Sequence, residues 1–163
     1  PEFAEYALNL QPGDGGYYVA ALGVFSIAGP PLAGKLIDRF GAKPVLLFGL
    51  IIMVVGYLAL AIFVAPSATP VSMIIGLAAV GFGMGFAMGA PTNYMILENT
   101  EPDESTSAIA TITLVRQIGT SVAPAILVGF ISQGTGLLGF QQMLIAVAIF
   151  NICSIAIMLL YRE

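Results

Sequence analysis

Gly34-Lys35-Leu36-Ile37-Asp38-Arg39-Phe40-Gly41-Ala42-Lys43 is a short, charged, glycine-bracketed stretch between two long apolar runs. Three of the five basic residues of the chain, Lys35, Arg39 and Lys43, fall inside it. In a chain that is 58% hydrophobic and 9% charged, with a mean hydropathy of +0.98, such a cluster reads as a turn at a membrane surface. It also fixes which side of the membrane that turn faces.

Soluble domains carry about 25% charged residues. A chain of 163 residues with this composition cannot hide its apolar surface in its own interior, so lipid is expected as part of its solvent. The net charge of −4 says little, because most acids sit in two loops. No basic stripe exists beyond the one turn, which argues against nucleic acid as a partner. There is no His, and the single Cys153 lies in an apolar run. A metal site of the usual His/Cys kind and an intrachain disulfide are both excluded on that count, and no cofactor is expected. No Ser/His/Asp, Cys/His or phosphate-loop arrangement is present, so enzymatic activity is not expected. The start, Pro1-Glu2-Phe3-Ala4-Glu5-Tyr6, is not a basic region followed by an apolar one. It is therefore not a signal peptide, and it reads as a chain entered partway along its length.

Crossing a hydrocarbon core of about 30 Å takes about 20 mostly apolar residues in a helix. Five segments qualify, at about residues 15–38, 44–64, 70–97, 105–131 and 140–161. Pro12 to Gly16, Ala65 to Pro70, Glu98 to Glu104 and Ser132 to Gly139 supply the breaks, with Asp103 or Ser105 as N-cap of the fourth span. A β-barrel requires period-two alternation. The run from Val45 to Val55 is apolar on every side, so the fold class is an all-α integral membrane protein forming a single membrane domain. Lys35, Arg39 and Lys43 place the first turn in the cytoplasm, and alternation brings Arg162 and the C-terminus to the same side.

The spans differ in character. The third carries Gly81, Gly85 and Gly89 four residues apart, a spacing that lets another backbone approach closely, and Pro91 then interrupts it before Thr92 and Asn93. The first holds Gly23, Ser26, Gly29, Pro30 and Pro31, and the fourth holds Thr111, Thr113, Arg116, Gln117, Gly119, Thr120, Ser121 and Pro124. The second and fifth have few polar atoms. The first, third and fourth spans are therefore expected to face protein or a cavity, and the second and fifth to face lipid on much of their surface. Arg116 lies roughly 16 Å into its helix at 1.5 Å per residue, near mid-membrane. An Arg there costs at least about 2.5–3.5 kcal/mol, so it needs a partner or water. Either it is structural, bonded to carbonyls and to amides such as Gln117 and Asn93, or it belongs to a substrate or coupling site.

Gly34-x-Leu36-x-Asp38-Arg39-x-Gly41-x-Lys43 resembles the loop motif G-x-L-x-D-R-x-G-x-[RK] of the major facilitator superfamily. Arg116-Gln117-Ile118-Gly119-Thr120-Ser121 resembles the R-Q-x-G-x-S segment of its fourteen-helix drug:proton antiporter branch, and Gly119-x-x-x-Ala123-Pro124 is a degraded form of the antiporter G-x-x-x-G-P motif, with Ala for the second Gly. The resemblance implies the last five helices of a C-terminal six-helix half-bundle, with residues 3–10 as the outer end of the preceding helix. It implies a multi-pass protein of the inner cell membrane, most simply the C-terminal part of a proton-coupled exporter of amphipathic compounds, cationic ones among them. Gly34, Asp38, Arg39, Gly41 and Lys43 would form a conformational latch. Arg116, Gln117 and Asn93 would be substrate or coupling residues. Gly81, Gly85, Gly89, Gly119 and Pro124 would serve helix packing. The implied partners are membrane lipid, a small amphipathic substrate, protons, and the absent N-terminal half or a partner chain. Two other readings stay open: a non-transporting membrane subunit or split half, and a metabolite uptake transporter of the same fold.

Overall fold

The computed structural model describes residues 2–64, 67–133 and 136–160. Among these there is no strand. The helices are α1 (Glu2–Leu8), α2 (Gly15–Phe40), α3 (Ala42–Ala59, continued by a π turn Leu60–Val64), α4 (Pro70–Ala87), α5 (Ala90–Glu98), α6 (Ser105–Gln133) and α7 (Leu137–Leu160). Five helical stretches are long and apolar enough to cross a membrane, α4 and α5 together counting as one. Tyr161, expected to end the fifth span, and Arg162, on which the orientation of the C-terminus rests, lie outside the described residues, as do Ala65, Pro66, Gly134 and Thr135.

The short α1 packs on the start of α7, where Phe3 and Tyr6 set their rings 5.8 and 5.6 Å from that of Phe140. The Glu5 carboxylate accepts from the N–H groups of Gly13 (2.9 Å) and Gly15 (3.3 Å). Gly15 opens α2, so Glu5 supplies an acceptor to an N-terminal N–H that no turn of the helix can pair. The next helix pair is joined outside the same end. Thr69 and Ser72 form a reciprocal capping box at the start of α4, with Pro70 in its first turn, where a missing N–H costs nothing.

α4 is the centre of the described chain, and its glycines explain why. Lipid tails are as apolar as Leu, so helices in a membrane associate through close packing rather than through expulsion of water. Gly81 and Gly85 lie on one face of α4, where an added Cβ would run into the backbone of Leu22, Ser26 and Gly29 on α2. Gly83 lies on the opposite face, where a Cβ would meet Gly49 and Met53 of α3. α3 replies with its own glycines: Gly49 is pressed on Phe86 and Ala87, and Gly56 on Val80. α7 packs along the far side of α3. The second span is thus more enclosed than its apolar composition suggested. It buries Gly49, Met53 and Gly56 against α4 while Phe48, Ile51 and Val55 stay exposed.

Two of the differences from the sequence reading have a clear physical cause. The first span runs on to Phe40 rather than ending at Asp38, so most of the charged stretch is helix and only Gly41 breaks the backbone. Ala33, Leu36 and Ile37 recur at helical spacing toward the core, and this apolar stripe carries the helix through the charges. The third span divides at Met88-Gly89, two residues before Pro91. Pro91 therefore does not end a helix but sits in the first turn of a new one, and Gly89 is the N-cap of α5, with Pro30 of α2 3.6 Å from a Cβ built there.

Candidate functional site

The latch residues cluster at the α2–α3 junction. Gly41 adopts φ 86° and ψ 166°, a conformation essentially reserved to glycine, and its N–H donates to the Ile37 carbonyl at 2.8 Å. Ala33, Ile37, Ala42 and Val45 bury themselves with Phe86 of α4, and Ala90 and Met95 of α5 close over them. This wedge fixes the backbone while the charges point outward. Asp38 and Arg39 are exposed, Lys43 and Gly34 half-buried. The Arg39 guanidinium lies 5.3 Å from the centroid of the Phe40 ring. Among the described residues neither Asp38 nor Arg39 has an ion-pair partner, so the pair is presented rather than consumed.

The second candidate group lies on α6. This helix touches only α5 and α7 to any extent, and none of its described side chains is buried. Thr113, Arg116, Gln117, Thr120 and Pro124 follow one another at i, i+3, i+4, i+7 and i+11, which puts them on one face. The hydroxyls satisfy themselves locally: Thr113 Oγ1 donates to the Ile109 carbonyl (2.7 Å), and Thr120 and Ser121 both donate to that of Gln117 (2.9 Å). Arg116 is half-buried, and among the described residues it has neither a hydrogen-bond acceptor nor an ion-pair partner. Asn93 is half-buried on α5, and no hydrogen bond joins it to Arg116 or Gln117. Arg116 and Gln117 thus share one face of α6, while Asn93 stands on the neighbouring α5 with no hydrogen bond to either. Nothing lies within 4 Å of a Cβ built on Gly119, and Pro124 is exposed, so neither is a close-approach point within the described chain, unlike Gly81 and Gly85.

Two clefts flank α6. One, of about 510 Å³, opens between α5 and α6 and is lined by Ile96, Thr100, Glu104, Ser107, Thr111 and Val115 among others. The other, of about 400 Å³, lies between α6 and α7 and has no polar lining. Among the described residues no group of His, Cys, Asp and Glu could hold a metal ion.

Two polar contacts escaped the sequence reading. Thr92 Oγ1 donates to the Ala87 carbonyl at 2.8 Å, across the break between α4 and α5, and supplies a donor near the position where Pro91 lacks an N–H. Gln141 Nε2 donates to the Ala61 carbonyl at 2.9 Å. Its only signal was a pair of amides at the start of an apolar run.

The sequence that builds these close-packed helices and their charged junction has relatives. The sequence profile of the Major Facilitator Superfamily matches residues 1–163, and the chain belongs to that family. It is 34% identical over 140 residues to an uncharacterised MFS-type transporter, YfiU, of Bacillus subtilis (strain 168), covering 85% of this chain and 26% of that protein. It is 26% identical over 128 residues to a multidrug resistance protein B homolog of Mycobacterium tuberculosis (strain ATCC 25618 / H37Rv), covering 78% of this chain and 24% of that protein. It is also 26% identical over 133 residues to the riboflavin transporter RibZ of Clostridioides difficile (strain 630), covering 82% and 29% respectively. The chain thus spans about a quarter of the length of these relatives. No solved structure gives a significant match. As a member of this family the chain is a multi-pass membrane protein with lipid around it.

Proposed function

We propose that the chain is the C-terminal part of a proton-coupled exporter of amphipathic compounds that works by alternating access. In such transporters two helical halves rock about a site near the midplane. The observation that carries this reading is the face of α6 with Arg116 and Gln117: a polar, unburied surface at mid-span on a helix apolar enough to cross a membrane. Lipid would penalise that face, so it is reserved for a water-filled path or for the other half of the transporter. The similarity to a multidrug resistance protein B homolog fits amphipathic drugs as cargo.

In this account the α2–α3 junction and the C-terminus face the cytoplasm. Asp38 and Arg39 form charge contacts with the N-terminal half when the cytoplasmic side is closed. Gly41 holds the corner, Gly34 gives clearance, and Lys43 sits at the start of α3. Protons titrate on carboxylates of the other half, since no Asp or Glu lies deep in the described spans. The test is transport in vesicles containing the complete protein, with and without a pH gradient. Gradient-driven efflux supports the reading. Uptake of a metabolite, for which the similarity to a riboflavin transporter offers riboflavin as the first compound to try, replaces export. A folded protein that moves nothing under either condition is a structural subunit.

A further inference from the structure

We propose that the cleft between α6 and α7 binds the apolar body of an anionic amphipath whose charged group is held by Arg116. The cleft of about 400 Å³ falls within the ~300–1,000 Å³ range of small-molecule sites. It is lined by Gly119, Val122, Ala123, Ile126 and Leu127 of α6 and by Val147 and Phe150 of α7.

The polarity at one end of this cleft fixes the orientation of the ligand. Arg116 lies one turn before Gly119, and 116, 119, 123 and 127 follow each other at i, i+3, i+7 and i+11 on one face of α6. α7 follows α6 in the chain and runs back across the membrane, so the residues beyond Phe150 lie toward the same end as Arg116. There Asn151 and Ser154 stand at i+4 and i+7 from Val147, on the cleft face of α7. Asn151 donates to the Val147 carbonyl (3.0 Å) and Ser154 to that of Phe150 (3.0 Å). Asn151 keeps a second N–H, because its amide carries two. The cleft is therefore apolar along its lining, and Arg116, Asn151 and Ser154 stand within about a turn beyond its lining residues at one end.

The sign of the charge follows from Arg116. It has no anionic partner among the described residues. A cationic ligand in this cleft would meet an unpaired like charge, whereas a carboxylate or sulfonate would neutralise it and could take two parallel hydrogen bonds from the fork. Depth excludes a phospholipid headgroup as occupant. Arg116 is roughly 16 Å along α6 from Ser105, close to half of the ~30 Å hydrocarbon core. Headgroups stay at its edge, so the occupant is a small amphipath that enters the membrane interior.

The exporter reading enters only in taking this occupant as cargo; the binding site stands on the geometry. The test therefore uses binding, without a pH gradient, to the complete transporter in detergent solution. The probes are the anionic xanthene dye fluorescein and a cationic rhodamine ester of the same ring system. Fluorescein is expected to bind at least tenfold more tightly than the rhodamine. Arg116→Gln should remove that preference, and Arg116→Lys should keep part of it. Gly119→Leu fills the cleft while keeping the Arg116 charge and should weaken fluorescein at least tenfold. It also keeps the test alive if Arg116→Gln fails to fold. An unchanged dye ratio in Arg116→Gln overturns the site, as does unchanged fluorescein affinity in Gly119→Leu. A protein that binds as expected yet moves no compound under a pH gradient loses the exporter reading and keeps the site.

Discussion

Gln141 on α7 donates its Nε2 to the carbonyl of Ala61 at 2.9 Å, and this bond ties together two positions 80 residues apart. Ala61 is fully buried inside the π turn that continues α3. A widened turn displaces carbonyls from the regular ladder, and such turns persist where a side chain supplies the donor. Ala61 lies at the end of its span but is fully buried, so bulk water does not reach its carbonyl. Replacing Gln141 by Leu should therefore cost more than the ~0.6 kcal/mol average of interhelical hydrogen bonds in membranes. A buried orphan acceptor costs about 1–3 kcal/mol, and that is the loss expected for Gln141→Leu in unfolding by SDS from mixed micelles. A loss under about 0.5 kcal/mol would mean that water or another donor reaches Ala61.

The glycines of α4 and α6 should respond in opposite ways. A Cβ on Gly85 would lie 2.9 Å from the Gly29 Cα and 3.1 Å from the Pro30 Cδ, against backbone and a ring that cannot yield. Gly85→Ala should destabilise by about 1–3 kcal/mol through overpacking. Gly119→Ala meets nothing within 4 Å and should be neutral, or stabilising by up to about 1 kcal/mol from helix propensity. Thermal denaturation of the two variants in the same detergent compares them directly. Equal effects would contradict the close approach of α2 and α4.

How far this was legible from sequence depends on whether the signal was local. The five spans were readable because composition and length suffice for them. The charged stretch was readable as a junction, but its helical state was not: Lys35, Asp38 and Arg39 look like a loop until Ala33, Leu36 and Ile37 are seen to face Phe86, more than forty residues away. The spacing of Gly81 and Gly85 pointed to close packing, yet the same small-residue logic applied to Gly119 met open space, because spacing does not say whether a partner stands opposite. The second span looked like lipid filler because Gly49 and Gly56 are silent on a hydropathy scale. The bond from Gln141 to Ala61 depends on a π turn, which leaves no pattern in the sequence.

Gly41 carries a sharper backbone demand than its neighbours. At φ 86° and ψ 166° an L side chain is strained by about 1–3 kcal/mol. Gly41→Ala should lower the unfolding midpoint accordingly and, in the complete transporter, reduce transport by tilting the α2–α3 corner. Wild-type stability and transport in Gly41→Ala would remove the corner from the mechanism.

Asp38 tests the latch by charge alone. Asp38→Asn keeps the shape and leaves the apolar wedge beneath it untouched. If Asp38 makes a charge-assisted contact with the other half, its loss costs about 1.5–3 kcal/mol, which is tenfold or more in the balance between the two access states. Transport should fall while expression and unfolding midpoint stay unchanged. Normal transport in vesicles would sink the latch.

The central claim is that the Arg116 and Gln117 face of α6 lines a water-filled path at mid-membrane depth. Its most direct test is thiol labelling of the complete transporter with Cys153 replaced by Ser. Gln117→Cys is probed with a small, charged, membrane-impermeant reagent, and Ile157→Cys, at an apolar position 70% exposed on α7, serves as the lipid-facing comparison. The account predicts that Gln117→Cys reacts readily and is protected by a transported compound, while Ile157→Cys stays unreactive. A Gln117→Cys variant as inert as Ile157→Cys would contradict it.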